Sequence, residues 1–228
     1  MQLDVRLQTV ADLVPKAGCV ADIGTDHAYL PVALLKCGKA ERAVAGDKNS
    51  GPCQAARKTI GSEGLEAKIV VREGDGLAVL EPGEAEVICL CGMGGLLMIN
   101  ILAANIATAK SAKYLILQPM TDVFELRTWL YEHGWQLEEE KLAADKKHIY
   151  VVMRAALGSA VKPKDSLLYI GPRLYAAKDP LLQMYMDKQL AQLETAKEGM
   201  EKGDLTKLAE QYKLTAKKIA WLKEMYLW

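Results

Sequence analysis

The chain has 228 residues, half of them apolar and a quarter charged, and 29 Lys plus Arg balance 29 Asp plus Glu. That length suits one large core or a main domain with a small appendage, and a formal charge of zero leaves no global field to attract a polyanion, so a nucleic-acid partner has to be held by a local patch. No apolar run reaches the roughly 18 residues of a membrane span, and the N-terminus lacks a basic segment followed by a hydrophobic stretch, so the expected location is the cytoplasm.

Leu3, Leu7, Val10 and Val14 recur at helical spacing and predict an amphipathic helix over residues 2–16. "CVADIG" then reads as a short buried strand, and "LPVALLKCG" returns to a helix that stops at Gly38. Further strands are predicted at 42–47, 67–75, 86–92 and 113–119, with helices around 51–64, 94–109 and 121–134. Apolar strands alternating with helices imply a parallel sheet covered on both faces. After Gly134 the pattern changes, because "WQLEEEKLAAD" and "HIYVVMRAA" are two strands with no helix between them. They predict a hairpin that brings the last strand in antiparallel. Such an α/β pattern resembles the seven-stranded sheet of the Rossmann-like class I methyltransferases, whereas an NAD-binding domain does not usually end in a hairpin.

From Gly158 the composition shifts, and "GSAVKPKD" reads as a linker. Leu181, Leu182, Met186, Leu190 and Leu193, then, beyond a break at "GMEKGD", Leu205, Leu208, Tyr212, Ile219, Leu222 and Met225 predict a helical hairpin. The expected domains are therefore 1–157 and 158–228. From Arg154 onward 13 basic residues face 9 acidic ones, against 16 and 20 before it; these lysines are either a solvated helical face or an RNA-facing patch. The five cysteines, Cys19, Cys37, Cys53, Cys89 and Cys91, lack the paired spacing of a zinc site and are expected to be reduced core thiols. No metal is expected.

The unusual residues fall at predicted strand ends, where parallel sheets bind ligands. The first strand ends in Asp22-Ile23-Gly24, and Gly24 lets a ligand approach the backbone. The second ends at Asp47, 25 positions after Asp22, near the offset of a ribose-binding acid. The third places Asp75 between Gly74 and Gly76, suited to an adenine amino group; the fourth ends in Gly92-Met93-Gly94-Gly95. Four such signals together point to a nucleoside-cofactor site.

A diphosphate packs onto a helix N-terminus through several glycines, but here Thr25, Asp26, His27, Ala28 and Tyr29 follow Gly24. S-adenosylmethionine has no phosphate; it carries a sulfonium and an amino-acid tail, which carboxylates and hydrogen-bonding side chains suit. Asp22 or Asp26 is then a candidate for its ammonium, His27 for its tail, and Tyr29 for stacking on a target base. Against these stand plainer roles: Asp26 as a helix cap, His27 as a loop residue, Tyr29 as a packed helix residue and Met93 as a gap filler.

"DIGTDHAYLP", "GDKNSGP", "REGDGL", "CGMGG" and "LILQP" resemble the signatures of the bacterial tRNA (adenine22-N1)-methyltransferases, the TrmK family. The family's order is kept across residues 1 to about 155, and the tail resembles its C-terminal coiled-coil domain. The resemblance implies methyl transfer from S-adenosyl-L-methionine to N1 of adenine 22 in the D-arm region of tRNA; the expected state of the chain is a monomer or weak dimer. It places Asp26 and Tyr29 as catalytic, Lys48 with the cofactor residues above, and Gly95, Gln118 and Pro119 against the substrate. Two positions depart from its pattern: Asp47 stands where Glu is as frequent, and Met120 where Asn is frequent. The alternatives are a methyltransferase for a small molecule or protein, and a cofactor-binding RNA module without catalysis.

Overall fold

The computed structural model describes residues 2–146, 148–203 and 205–226, with the side chains of Leu205 and Thr206 outside that description. The chain divides into two compact units, one ending at Ala160 and one beginning at Val161. None of the described helices is long and apolar enough to cross a membrane.

The first unit opens with helix α1 (Val5–Leu13), whose cap is Asp4: its Oδ1 accepts the Leu7 N–H at 2.7 Å. Strand β1 (Ala17–Ile23) is almost wholly buried, as a strand covered on both faces must be. Helix α2 (Tyr29–Lys36), β2 (Ala40–Asp47), α3 (Ser50–Ser62) and β3 (Ile69–Glu73) build one side of the sheet. On the other side come β4 (Val87–Met93), α4 (Gly95–Ala104), α5 (Ile106–Ser111), β5 (Tyr114–Pro119), α6 (Val123–Glu132), β6 (Trp135–Asp145) and β7 (His148–Leu157). The seven strands lie in the order β3-β2-β1-β4-β5-β7-β6. β7 inserts antiparallel between β5 and β6, so the sheet is the mixed, Rossmann-like one that the closing hairpin predicts.

Two apolar layers hold the sheet. Val10, Leu13, Leu30 and Leu34 pack with Val20, Val87, Ile116 and Val152; Val32, Ala56 and Ile60 pack with Ala43, Ala45 and Ile69. Each fully buried aliphatic side chain of this size contributes about 1.5–3 kcal/mol. One charged pair joins this interior. Arg127 of α6 donates from Nε to Glu140 Oε1 of β6 at 2.8 Å, and both side chains are 0% exposed.

Some local expectations fail for identifiable reasons. The stretch 94–109 is two helices, because Asn105 adopts φ −132° and ψ 52° between them; asparagine forms helix poorly since its amide competes for backbone partners. A single 3₁₀ turn, Gly76–Val79, follows the third strand where no element is predicted. All five cysteines are free, and Cys37 departs from the core expectation: it is exposed at the end of α2.

The second unit contains α7 (Asp165–Ile170), α8 (Pro172–Ala177), α9 (Leu182–Glu201) and α10 (Leu205–Met225). α9 and α10 run antiparallel, pairing Glu201 with Tyr212, Glu194 with Lys223 and Asp187 with Tyr226. Leu182, Met186, Ile219, Leu222 and Met225 are buried, whereas Leu190 and Leu193 are only half-buried. Asp204, within the expected break, lies outside the described residues. Helix α7 packs on α10 through Tyr169 and Trp221, ring centroids 5.9 Å apart, and Lys217 lies 4.8 Å over the Trp221 ring. The short helices α7 and α8 follow the expected linker directly, and Pro172 opens α8 at a position where its missing N–H costs nothing.

Candidate active site

β1 pairs with β2 on one side and with β4 on the other, so a crevice opens beyond the carboxyl ends of β1 and β4, where the strand order reverses. Asp22 reaches it in register with Ala45 and Cys89. The turn that follows is tied down: Gly24 and Thr25 both donate N–H to the Gly46 carbonyl, at 2.8 and 3.1 Å. Gly24 holds φ +77°, and a Cβ there would lie 2.8 Å from Met93 Cε. Asp26 (φ 50°) and Ala28 (φ 56°) share the left-handed region, at a cost of about 1–2 kcal/mol each.

That backbone path decides Asp26. It does not cap α2, because the cap position belongs to Ala28 and carries no side-chain hydrogen bond. Its carboxylate instead stands exposed, 3.6 Å from His27 Nε2. His27 stacks on Tyr29 with ring centroids 5.1 Å apart and 12° between planes. Tyr29 is 41% exposed, so a phenol face remains open to a ligand.

Two cavities meet at Gly24. The first is lined by Ile23, Gly24, Asp47, Lys48, Gly74, Asp75, Gly76 and Met93, together with Asn49, Leu97 and Ile101. Asp47 sits there with one oxygen engaged by the Asn49 N–H at 2.9 Å, and its carbonyl accepts the Gly74 N–H at 2.9 Å. The second is lined by Asp22, Thr25, Asp26, His27, Tyr29, Cys91 and Gly92, with Arg6 of the first helix and its cap Asp4. Asp22 is 5% exposed and accepts the Thr25 hydroxyl at 2.7 Å. Burial pushes its carboxyl up to about 6, against the opposing pull of that hydroxyl and of Arg6. Burial, with the nearby Asp22 charge, also raises the Cys91 thiol far above its ordinary range.

The loops after β4 and β5 are locked together beside these cavities. Met120 donates N–H to Met93 O at 2.9 Å and Gly95 to Thr121 O at 3.0 Å. Any Cβ on Gly95 would lie 2.5 Å from Asp122 O; Gly95 is a packing glycine, buried between the loops. Gly94 is half-buried, and a Cβ there would lie 3.0 Å from Thr121 Oγ1. Gln118 is 0% exposed, Pro119 is buried, and Met120 is 50% exposed.

The donor set suits a phosphate-free nucleoside bearing a positive charge. Acids stand at the ends of β1, β2 and β3, and glycines Gly24, Gly74 and Gly76 bare the backbone beside them. Arg6, Asp4 and Asn49 escape the sequence pattern. Arg6 lies in the first turn of an ordinary amphipathic helix and Asp4 caps it, and only the fold brings that helix to the strand ends.

The family description "Methyltransferase domain" matches residues 3–153, so the sheet and its site are those of a methyltransferase. Over 231 aligned residues the chain is 33% identical to the tRNA (adenine(22)-N(1))-methyltransferase of Bacillus subtilis strain 168, covering 99% of this chain and 97% of that protein. The crystal structure of the Bacillus subtilis m1A22 tRNA methyltransferase TrmK superposes with a TM-score of 0.88 at 32% identity, covering 98% of each chain. A Streptococcus pneumoniae protein solved in complex with S-adenosyl-L-methionine superposes with a TM-score of 0.87 at 32% identity, covering 98% of this chain and 99% of that one. This chain belongs to the tRNA (adenine(22)-N(1))-methyltransferase family.

Proposed function

We propose that this chain transfers a methyl group from S-adenosyl-L-methionine to N1 of adenine 22 in tRNA. One observation carries the assignment: two cavities joined at Gly24, one suited to a nucleoside and one to a charged tail, in a chain that matches a tRNA (adenine(22)-N(1))-methyltransferase over almost its whole length. Asp47 would hold the ribose hydroxyls and Asp75 the adenine amino group, with Lys48, Gly74, Gly76, Met93 and Gly94 forming the walls. Asp22 would take the ammonium, while Gly24, His27 and Gly92 border the tail.

When bound, the cofactor supplies an electrophilic methyl group on a sulfonium that departs as a neutral thioether. The target N1 attacks with its own lone pair, so no side chain has to remove a proton from it. That lone pair lies on the Watson-Crick edge, and the base must be unpaired first, at a cost of a few kcal/mol. The open face of Tyr29, backed by His27, offers a stacking platform for it. Asp26 stands where a carboxylate would steady the positive charge that grows on the ring. Asp26→Ala is expected to lower turnover at least about tenfold, in the range of a lost electrostatic contact, while S-adenosylhomocysteine affinity stays within about twofold. Unchanged turnover at saturating tRNA would remove Asp26 from the mechanism.

The two-domain organisation, 1–157 for chemistry and 158–228 as a helical coiled-coil domain, gives the lysines of the second unit to the D-arm region of tRNA. The protein acts in the cytoplasm, without a metal, as a monomer or weak dimer. The direct test is labelled methyl transfer to unmodified tRNA, with the modified nucleoside identified and adenine 22 replaced in parallel. Incorporation is expected only into the natural sequence; incorporation that survives the replacement would refute the assigned target.

A further inference from the structure

Asp75 stands on the loop between β3 and β4, and its own turn does not fix its carboxylate. It occupies the cap position of the 3₁₀ turn Gly76–Val79 without a side-chain hydrogen bond to it, and it is exposed at the cavity wall. An acid that serves no cap is available to a ligand, but it reads one amino group only if the backbone beneath it is held in place.

The hold comes from outside the cavity. Arg72, the last residue but one of β3, lies in register with Gly46 of β2. Its Nη1 donates to the Val79 carbonyl at 2.7 Å and to Glu84 Oε2 at 2.7 Å, and its Nη2 donates to Glu84 Oε1 at 2.6 Å. Glu84 Oε2 also accepts the Glu81 N–H at 3.1 Å. Only a guanidinium makes this two-pronged pairing, and the bonds to Arg72 hold the Glu84 carboxyl below the ordinary carboxylate range.

Val79 carries the constraint inward. Its side chain is 8% exposed and fills the space that two glycines leave: a Cβ on Gly46 would lie 2.8 Å from Val79 Cγ2, and one on Gly74 2.8 Å from Val79 Cγ1. Gly46 precedes Asp47 and Gly74 precedes Asp75, so one side chain braces the backbone beside both acids. Gly76 in turn sits against α4, where a Cβ would lie 3.1 Å from Ile101 Cγ2. The turn is wedged between the sheet and α4, and the ion pair closes the wedge.

We propose that Arg72 and Glu84 are positioning residues for adenine recognition: their pair sets, through Val79, the backbone from which Asp75 meets the amino group of the donor's base. This rests on the nucleoside assignment above and extends it to a pair that lines neither cavity.

The test is calorimetry on the full chain with S-adenosylhomocysteine and its analogue carrying purine in place of adenine, which lacks only the amino group. The wild type is expected to prefer S-adenosylhomocysteine by about tenfold, the size of one charge-assisted hydrogen bond. Arg72→Met keeps the apolar stem and removes the fork; its preference is expected to fall to within about threefold, with the purine analogue bound within about twofold of wild type. Glu84→Gln keeps the shape, removes the charge and is expected to shift the preference the same way. Asp75→Ala is expected to erase the preference, and adding Arg72→Met to it should change neither affinity by more than about twofold, because a residue that acts through another has nothing left to act on. A preference that survives in Arg72→Met, or in Glu84→Gln should Arg72→Met fail to fold, would overturn the proposal. Equal losses for the two ligands would overturn it too, by assigning the pair to the fold alone, as would a wild type indifferent to the amino group. A wild type that binds neither ligand would instead refute the methyl-donor assignment.

Discussion

Replacing Asp22 with asparagine is expected to make the ligand-free protein more stable while depriving it of its cofactor. The carboxyl is buried at the end of β1 and its pKa is raised from 3.8 to about 6. The folded state therefore binds this proton more tightly than the unfolded chain does. The resulting penalty is fully present above pH 6, shrinks as pH falls from about 6 toward 3.8, and vanishes below both values. Two pKa units correspond to about 3 kcal/mol at most, so Asp22→Asn should raise the apo melting temperature by several degrees at pH 8 and by nearly nothing at pH 4. The Thr25 hydroxyl keeps an acceptor in the variant. Affinity for S-adenosylhomocysteine should fall by about a hundredfold, as expected when one partner of a buried, hydrogen-bonded charge pair is removed. In the wild type the same affinity should weaken as pH drops through 6, with Arg6 and Asp47 the other charges acting on the group. Thermal melts at the two pH values and a calorimetric titration read both halves; equal melting temperatures at pH 8 would contradict the burial cost.

Glu140→Leu is expected to be among the most damaging single changes in the first unit. Glu140 accepts from Arg127 with both side chains excluded from solvent, and removing one member leaves the guanidinium buried without its carboxylate. Such losses cost about 3–5 kcal/mol, which for a chain of this size corresponds to a fall of roughly 10 °C in melting temperature. Arg127→Met should cost a similar amount, and the double variant less than the two singles combined. Helix α6, which carries Arg127, begins at the Thr121-Asp122 loop that clamps Gly95, so methyl transfer should be lost at a lower temperature as well. Additive melting shifts would show that the pair does not act as a unit.

Much of the architecture was legible because parallel strands buried on both faces leave uninterrupted apolar runs, and a hairpin leaves two runs with no helix between them. Strand order was not legible from those runs. It depends on which strands exchange hydrogen bonds, and the order appears only in the structure. The site divides in the same way. Asp22, Gly24, Asp47 and Asp75 announce themselves at strand ends, whereas Arg6 sits in the first turn of α1, where periodicity reads a solvated side chain. Its partner Gln118 is 112 residues away. Gln118 reads as a polar residue at a strand end facing substrate, yet the fold places it wholly inside, with its amide held by Arg6, Gly92 and Pro119. The Asp26 cap failed because a left-handed Ala28 occupies the cap position, and left-handed backbone at alanine has no sequence signature.

Cys91 lines the cavity assigned to the donor's tail, which puts a soft nucleophile beside an alkylating agent. Sulfur attacks as thiolate, and burial next to Asp22 keeps this one protonated far beyond neutral pH. Burial first, and the carboxylate that would hold the donor second, thereby also protect the protein from methylating itself.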